Sequence, residues 1–250
     1  MAEDAAALAK HLKPESVDYI FTDPPYGAFI AYLDLSTLWN HWLGFHVGAA
    51  DRANEIIVGG DLGLSEEHYR SRLAASMRAC LEVLKPDRWF SVVFQHWDVR
   101  YFETILRTAT AGGAELRAAV TQEREVIWSM HKKKNRESVL AGEMILTFYK
   151  GTGEIRDAEM REAQPCLLHD LLDEVLGRER ADEITSQCLF NKLVLAAWQR
   201  QSLSQLTVAR EDFSRELEER GWHYDQRRHA WRRGPNPDNE PLPLWEPRLS

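Results

Sequence analysis

Only three cysteines occur in 250 residues, and no two of them form a Cys-x-x-Cys pair, so the chain lacks the ligands for a zinc ribbon and the pairs for a disulfide framework. Cys80, Cys166 and Cys188 read instead as separate buried thiols in a reducing cytoplasm, and no metal is expected. Long apolar runs are also missing. No stretch is long enough to cross a bilayer, and the first residues do not follow the basic-then-apolar order of a signal peptide, so no membrane association is expected. Positive charge is in deficit: 31 Lys and Arg face 39 Asp and Glu, a net of −8, which opposes non-specific attraction to phosphate. Internal repeats and strongly biased tracts are absent as well. What is present is a globular composition, 44% hydrophobic and 28% charged, in a chain long enough to bury a substantial core.

The most informative segment is the apolar run Val17–Thr22 closed by Asp23-Pro24-Pro25-Tyr26. A buried strand ending on a carboxylate, two prolines and an aromatic builds a rigid ledge at the carboxyl edge of a sheet, where open α/β sheets bind ligands. Each proline fixes its own φ and pushes the residue before it toward extended geometry. The Asp23 carboxylate and the neighbouring carbonyls then project as preset acceptors beside the Tyr26 ring, an arrangement suited to an exocyclic amino group on a planar base. Asp-Pro and Pro-Pro dipeptides also punctuate ordinary turns, so the segment alone leaves both readings open.

The rest of the first 150 residues alternates helix and strand. Residues 3–12 look helical. Tyr32, Leu35, Leu38, Trp39, Trp42 and Leu43 recur at helical spacing until Gly44. Residues 44–64, with five glycines, read as a loop. Ser65 is an N-cap for a long helix with the stripe Tyr69, Leu73, Met77, Cys80, Leu81 and Leu84, stopped by Lys85-Pro86-Asp87. A strand Trp89–Phe94 delivers Gln95, His96 and Trp97, and Asp98 caps a helix ending near Gly112-Gly113. An extended stretch from Ala114 and a last strand Met144–Tyr149 flank the basic segment Lys132-Lys133-Lys134-Asn135-Arg136. With no room for a crossover helix between them, these two strands should pair antiparallel. After Gly151 the pattern changes to helices near 166–176, 187–201 and 209–220, then a hairpin around Asp225–Arg228, similar in outline to a winged helix. Arg220, Arg227, Arg228, Arg232 and Arg233 make that end locally basic. Two regions are therefore expected, 1–150 and 151–250.

Three stretches carry a family likeness: Thr22-Asp23-Pro24-Pro25-Tyr26-Gly27; Leu38-Trp39-Asn40-His41-Trp42-Leu43-Gly44; and Leu84-Lys85-Pro86-Asp87-Arg88-Trp89 running into Phe94-Gln95-His96. Over about residues 15–150 the chain resembles the amino-methyltransferases that use S-adenosylmethionine, and among them the large adenine-specific DNA methylases. The resemblance implies an α/β fold with a partial Rossmann-like class I methyltransferase sheet, to which the residue pattern adds an antiparallel last strand and a C-terminal helical, winged-helix-like appendage. It implies Asp23, Pro24, Pro25 and Tyr26 as catalytic residues, with Asp23 and Tyr26 also touching the cofactor. Gly27 and His96 would line the base pocket, and Lys132, Lys133, Lys134 and Arg136 would meet DNA phosphates. A His beside Trp97 also has an ordinary structural reading. The family commonly carries Gly where Asp87 stands.

One family element is missing. No Phe-x-Gly-x-Gly sequence, the loop that would hold the methionine part of the cofactor, occurs before Asp23 or after Tyr149. Gly59-Gly60 and Gly151-Thr152-Gly153 read as turns. The expectation is the catalytic half of a methylase, completed by a second subunit or by a missing N-terminal segment, with an exposed apolar face where that half would sit. Competing readings are an RNA guanine-N2 methylase, which shares Asp-Pro-Pro-Tyr-Gly, and a non-catalytic DNA-binding or assembly module. A protein-glutamine methylase fits less well, because that group usually has Asn in place of Asp23.

Overall fold

The computed structural model describes residues 4–28, 30–123, 142–152 and 167–234. A short 3-10 helix (Ala5–Lys10), within the stretch the sequence pattern marked as helical, leads into strand β1 (Val17–Thr22). Helix α1 (Tyr32–Trp42), a one-turn helix α2 (Ala49–Ala53) and helix α3 (Glu66–Val83) follow. The glycine-rich 44–64 segment is therefore not a plain loop: it holds α2 and a bridge between Gly59 and Leu64. Ser65 caps α3 by accepting the His68 N–H at 3.1 Å, as its position predicted.

Strand β2 (Leu84–Phe94) starts five residues earlier than the pattern indicated. The helix does end before Pro86, but the chain turns directly into the sheet, with Leu84 opposite Val17. Asp87 takes a left-handed φ of 60° and the register with β1 shifts there, so the proline sits in an irregular stretch where a missing N–H breaks no ladder. Helix α4 (Val99–Ala111), strand β3 (Ala114–Glu123) and strand β4 (Gly142–Lys150) complete the sheet.

Its order is β1-β2-β4-β3, with β1 parallel to β2 and β4 antiparallel to both neighbours. The expected mixed α/β sheet with an antiparallel last strand is present. One face is a dry core: Phe90, Val92, Phe94, Leu146 and Phe148 are buried under the stripes of α3 (Tyr69, Leu73, Met77) and α4 (Phe102, Ile105, Leu106). The other face is open along β1, where Tyr19 and Phe21 are 52% and 58% exposed beside Trp89. The Tyr19 hydroxyl donates to Ser91 Oγ at 3.0 Å across that face. The apolar stripe of α1 is also exposed, with Leu35, Leu38, Trp39 and Trp42 all more than half accessible.

The C-terminal part runs α5 (Leu168–Arg178), β5 (Glu183–Ile184), α6 (Ser186–Gln199), α7 (Arg210–Glu219), β6 (Trp222–Asp225) and β7 (Ala230–Arg233). Its antiparallel sheet has the order β5-β7-β6, and buried Trp231 anchors it by donating from Nε1 to Ser186 Oγ at 2.9 Å. The helix–strand–helix–helix–hairpin order matches the winged-helix outline. One apolar cluster runs without a break from Tyr69 on α3 to Trp231 on β7, so both parts share a core.

Candidate active site

The ledge sits at the carboxyl end of β1, beside the carboxyl end of its parallel neighbour β2. Asp23 is exposed, whereas Pro24, Pro25 and Tyr26 are half-buried and Gly27 is buried. The Tyr26 hydroxyl donates to Asp23 Oδ1 at 2.5 Å, and its ring meets Phe94 edge-on at 5.3 Å between centroids. Tyr26 thus already spans from the Asp23 carboxylate to the end of β2. The carboxylate remains open to solvent on its other side.

His96 lies where the sequence placed it, against the motif. A Cβ built on Gly27 would come within 3.0 Å of His96 Nε2 and 3.3 Å of Tyr101 Cε2. Gly27 also holds a left-handed φ of 66°, so two independent constraints demand glycine there. The imidazole is fixed from behind: its Nδ1 accepts the Asp98 backbone N–H at 2.9 Å, which places a neutral ring's proton on Nε2, the nitrogen facing Gly27. The Tyr101 ring packs on His96 at 4.4 Å, and burial pushes the Tyr101 phenol up to about 12. Gly27→Ala should therefore cost about 1–3 kcal/mol, from left-handed strain plus displacement of His96. A denaturant melt checks the loss.

Two supports of the motif were not legible as such. The hydroxyl of Tyr69, wholly buried on α3, donates to the Pro25 carbonyl, and the Val58 N–H donates to the Gly27 carbonyl at 3.2 Å. The sequence presents Tyr69 only as one member of an apolar stripe. The available signal was chemical: a buried tyrosine hydroxyl has to find a partner. The second missed feature is a chain of buried amides. Gln95 Nε2 donates to Gln187 Oε1 (3.2 Å), Gln187 Nε2 to Asn191 Oδ1 (2.8 Å) and Asn191 Nδ2 to Thr121 Oγ1 (2.9 Å). This chain ties the end of β2, through α6, to β3. Trp97 packs against Phe190 and Phe213 at 4.9 and 5.4 Å, so the segment after His96 rests on the C-terminal part.

The basic segment Lys132, Lys133, Lys134 and Arg136 lies outside the described residues. In the C-terminal hairpin, Arg228 and Arg232 reach Glu183 at 3.1 and 3.7 Å, and Arg220 bonds Asp173 and Glu216 at 2.7 and 2.6 Å, so part of that positive charge is compensated. Among the described residues no cluster of His, Cys, Asp and Glu could hold a metal, and no helix is long and apolar enough to cross a membrane.

No protein-family model matches the sequence, and no curated protein matches it. Several solved structures are similar to it at low identity. PvuII DNA methyltransferase, which is cytosine-N4-specific, is similar at 14% identity and a TM-score of 0.39, over 72% of this chain and 62% of that one. A candidate DNA modification methylase from Thermus thermophilus gives 15%, 0.34, 70% and 60% for the same four measures. M1.HpyAVI, solved with S-adenosylmethionine, gives 12%, 0.31, 80% and 88%. The chain spans about 60% of the length of the first two of these neighbours.

Proposed function

We propose that this chain is the catalytic half of an S-adenosylmethionine-dependent DNA methyltransferase that modifies the exocyclic amino group of a flipped base, adenine N6. The observation carrying this reading is the exposed Asp23 carboxylate at the carboxyl end of β1, followed by two prolines and clasped by the Tyr26 hydroxyl.

An aromatic amine is a weak nucleophile because its lone pair is delocalised into the ring. Asp23 and the Pro24 carbonyl accept the two amino hydrogens, which draws the nitrogen toward tetrahedral geometry and frees the lone pair. The acceptors are set before the base arrives, so little reorganisation remains at the moment of reaction. The cofactor supplies an electrophilic methyl group. With the cofactor bound, methyl transfer to that nitrogen would leave a surplus amino proton, which Asp23 would accept, its exposure giving the proton a path to water. Tyr26 offers its ring to the extruded base, with Gly27 and His96 behind it.

The fit to the cofactor is partial. Asp23 and Tyr26 offer a carboxylate and a ring, but no described segment forms a glycine-rich loop of backbone donors for its amino-acid tail. Among the described residues β1 is an edge strand, and this edge with exposed Tyr19 and Phe21 supports a completing body, either a second subunit or a missing N-terminal segment, that adds strands there and brings that loop. Lys132, Lys133, Lys134 and Arg136 are assigned to phosphates beside the target base. The test is tritium transfer from labelled cofactor by the completed enzyme to DNA, tRNA or protein. Label in adenine of DNA is the expected result. Label in tRNA guanine alone would move the substrate to RNA.

A further inference from the structure

The two prolines of the ledge do not fix it completely. A proline ring sets φ but leaves its own ψ free, unless another proline follows. Asp23 precedes Pro24 and Pro24 precedes Pro25, so both of their carbonyl directions are preset by sequence. Pro25 precedes Tyr26 and has no such restriction. Its ψ can settle near about 145° or about −40°, and the two choices turn the Pro25 carbonyl and send the Tyr26 side chain in different directions.

We infer that Tyr69 is a positioning residue: its hydroxyl, donated to the Pro25 carbonyl, selects one ψ for Pro25 and thereby aims Tyr26 at Asp23 and Phe94. This rests on the methyl-transfer reading for its functional meaning, though not for its geometry. Tyr69 stands on the rigid scaffold. It is wholly buried on the eighteen-residue helix α3, and its ring is held against Tyr101 at 4.8 Å, which in turn packs on His96. Burial raises the Tyr69 phenol above its ordinary range, against an opposing contribution from the Gly27 N–H, so at neutral pH the hydroxyl is a protonated donor. On the far side of Tyr26 the chain is pinned again by the Val58 N–H on the Gly27 carbonyl at 3.2 Å. Between these pins, the Tyr26 hydroxyl reaches Asp23. Burial obliges the hydroxyl to find a partner; that the partner is the Pro25 carbonyl of the ledge is what couples α3 to the motif.

The sequence supplies an unusually clean test, because Pro25–Tyr26 is its sole Pro–Tyr bond. Labelling with [1-13C]proline and [15N]tyrosine gives one carbonyl–nitrogen correlation, which reports the Pro25 peptide directly. In the full chain with Tyr69→Phe, that carbonyl should move upfield as its hydrogen bond is lost, and the signal should broaden or split as ψ becomes heterogeneous. An unchanged correlation overturns the assignment. Methyl transfer is measured on the same variant in the completed enzyme, where kcat should fall about 10- to 100-fold with KM for cofactor and DNA little altered. A shifted correlation with wild-type kcat also refutes the positioning role. A wild-type enzyme inert toward nucleic acid, with the correlation still responding to Tyr69→Phe, refutes the functional reading and keeps the geometric one. If Tyr69→Phe melts the fold, Tyr26→Phe serves as the second variant. It leaves the Tyr69 bond intact, and read with [15N]phenylalanine in place of [15N]tyrosine the Pro25 carbonyl should keep its wild-type shift while kcat falls; a Pro25 carbonyl that moves with this variant overturns the claim that Tyr69 sets it.

Discussion

Asp23→Ala should abolish methyl transfer, lowering kcat by about 10²–10³-fold or more, the scale seen when one preorganised electrostatic group is removed from an active site. The effect should be confined to chemistry. Asp23 is exposed, and its described side-chain hydrogen bond comes from Tyr26, itself half-buried, so neither the melting midpoint nor DNA affinity has reason to change much. Asp23→Asn is the sharper variant. It keeps one acceptor oxygen but turns two amide hydrogens toward a substrate group that also donates, replacing attraction with repulsion at the reacting nitrogen. It should therefore be closer to Ala than to wild type. Single-turnover transfer from tritiated cofactor, beside a titration of DNA binding, separates the two effects. Near-normal turnover in either variant would remove Asp23 from the chemistry.

The second large effect concerns the cofactor. The isolated chain should show no binding of S-adenosylmethionine by calorimetry below about 1 mM, and the completed protein should bind it near about 1 µM, a difference of about 4 kcal/mol. The physical basis is the proposed division of the site. The acceptor ledge belongs to β1, whereas donors for an amino-acid tail are not found among the described residues. Completion should also bury Tyr19, Phe21 and the neighbouring Trp89, which stands 42% exposed, so a blue shift of tryptophan emission should accompany assembly. Tight binding by the chain alone would show that it already holds the whole cofactor site.

Much of this arrangement follows from short-range signals. The Val17–Thr22 strand and its proline-rich end, the Ser65 and Asp98 caps and the terminal hairpin all depend on residues close together in sequence. Features fixed by distant partners were not legible. Strand β2 begins at Leu84 because Val17 stands beside it, against the local advice of Pro86. Tyr69 reads as one apolar residue among several until Pro25, 44 positions away, supplies an acceptor for its hydroxyl. Gln187, Asn191 and Thr121 carry no motif, and Gln95 stands in one only beside His96; the four come together only when α6 settles on the sheet. The α1 stripe shows the converse limit. Its spacing correctly gives a helix, but periodicity does not reveal whether a partner covers the apolar side, and Trp39 and Trp42 are left facing solvent.

Those amides bear on how the protein can be dissected. A cut near residue 150, at the apparent change of character, would remove the Gln187 acceptor from the Gln95 amide and take Phe190 and Phe213 away from Trp97. The C-terminal helices and hairpin thus act as flooring beneath the strand end that carries His96. Grafting a foreign recognition module in their place would have to rebuild that flooring residue by residue, because a flexible tether alone would let that strand end sag.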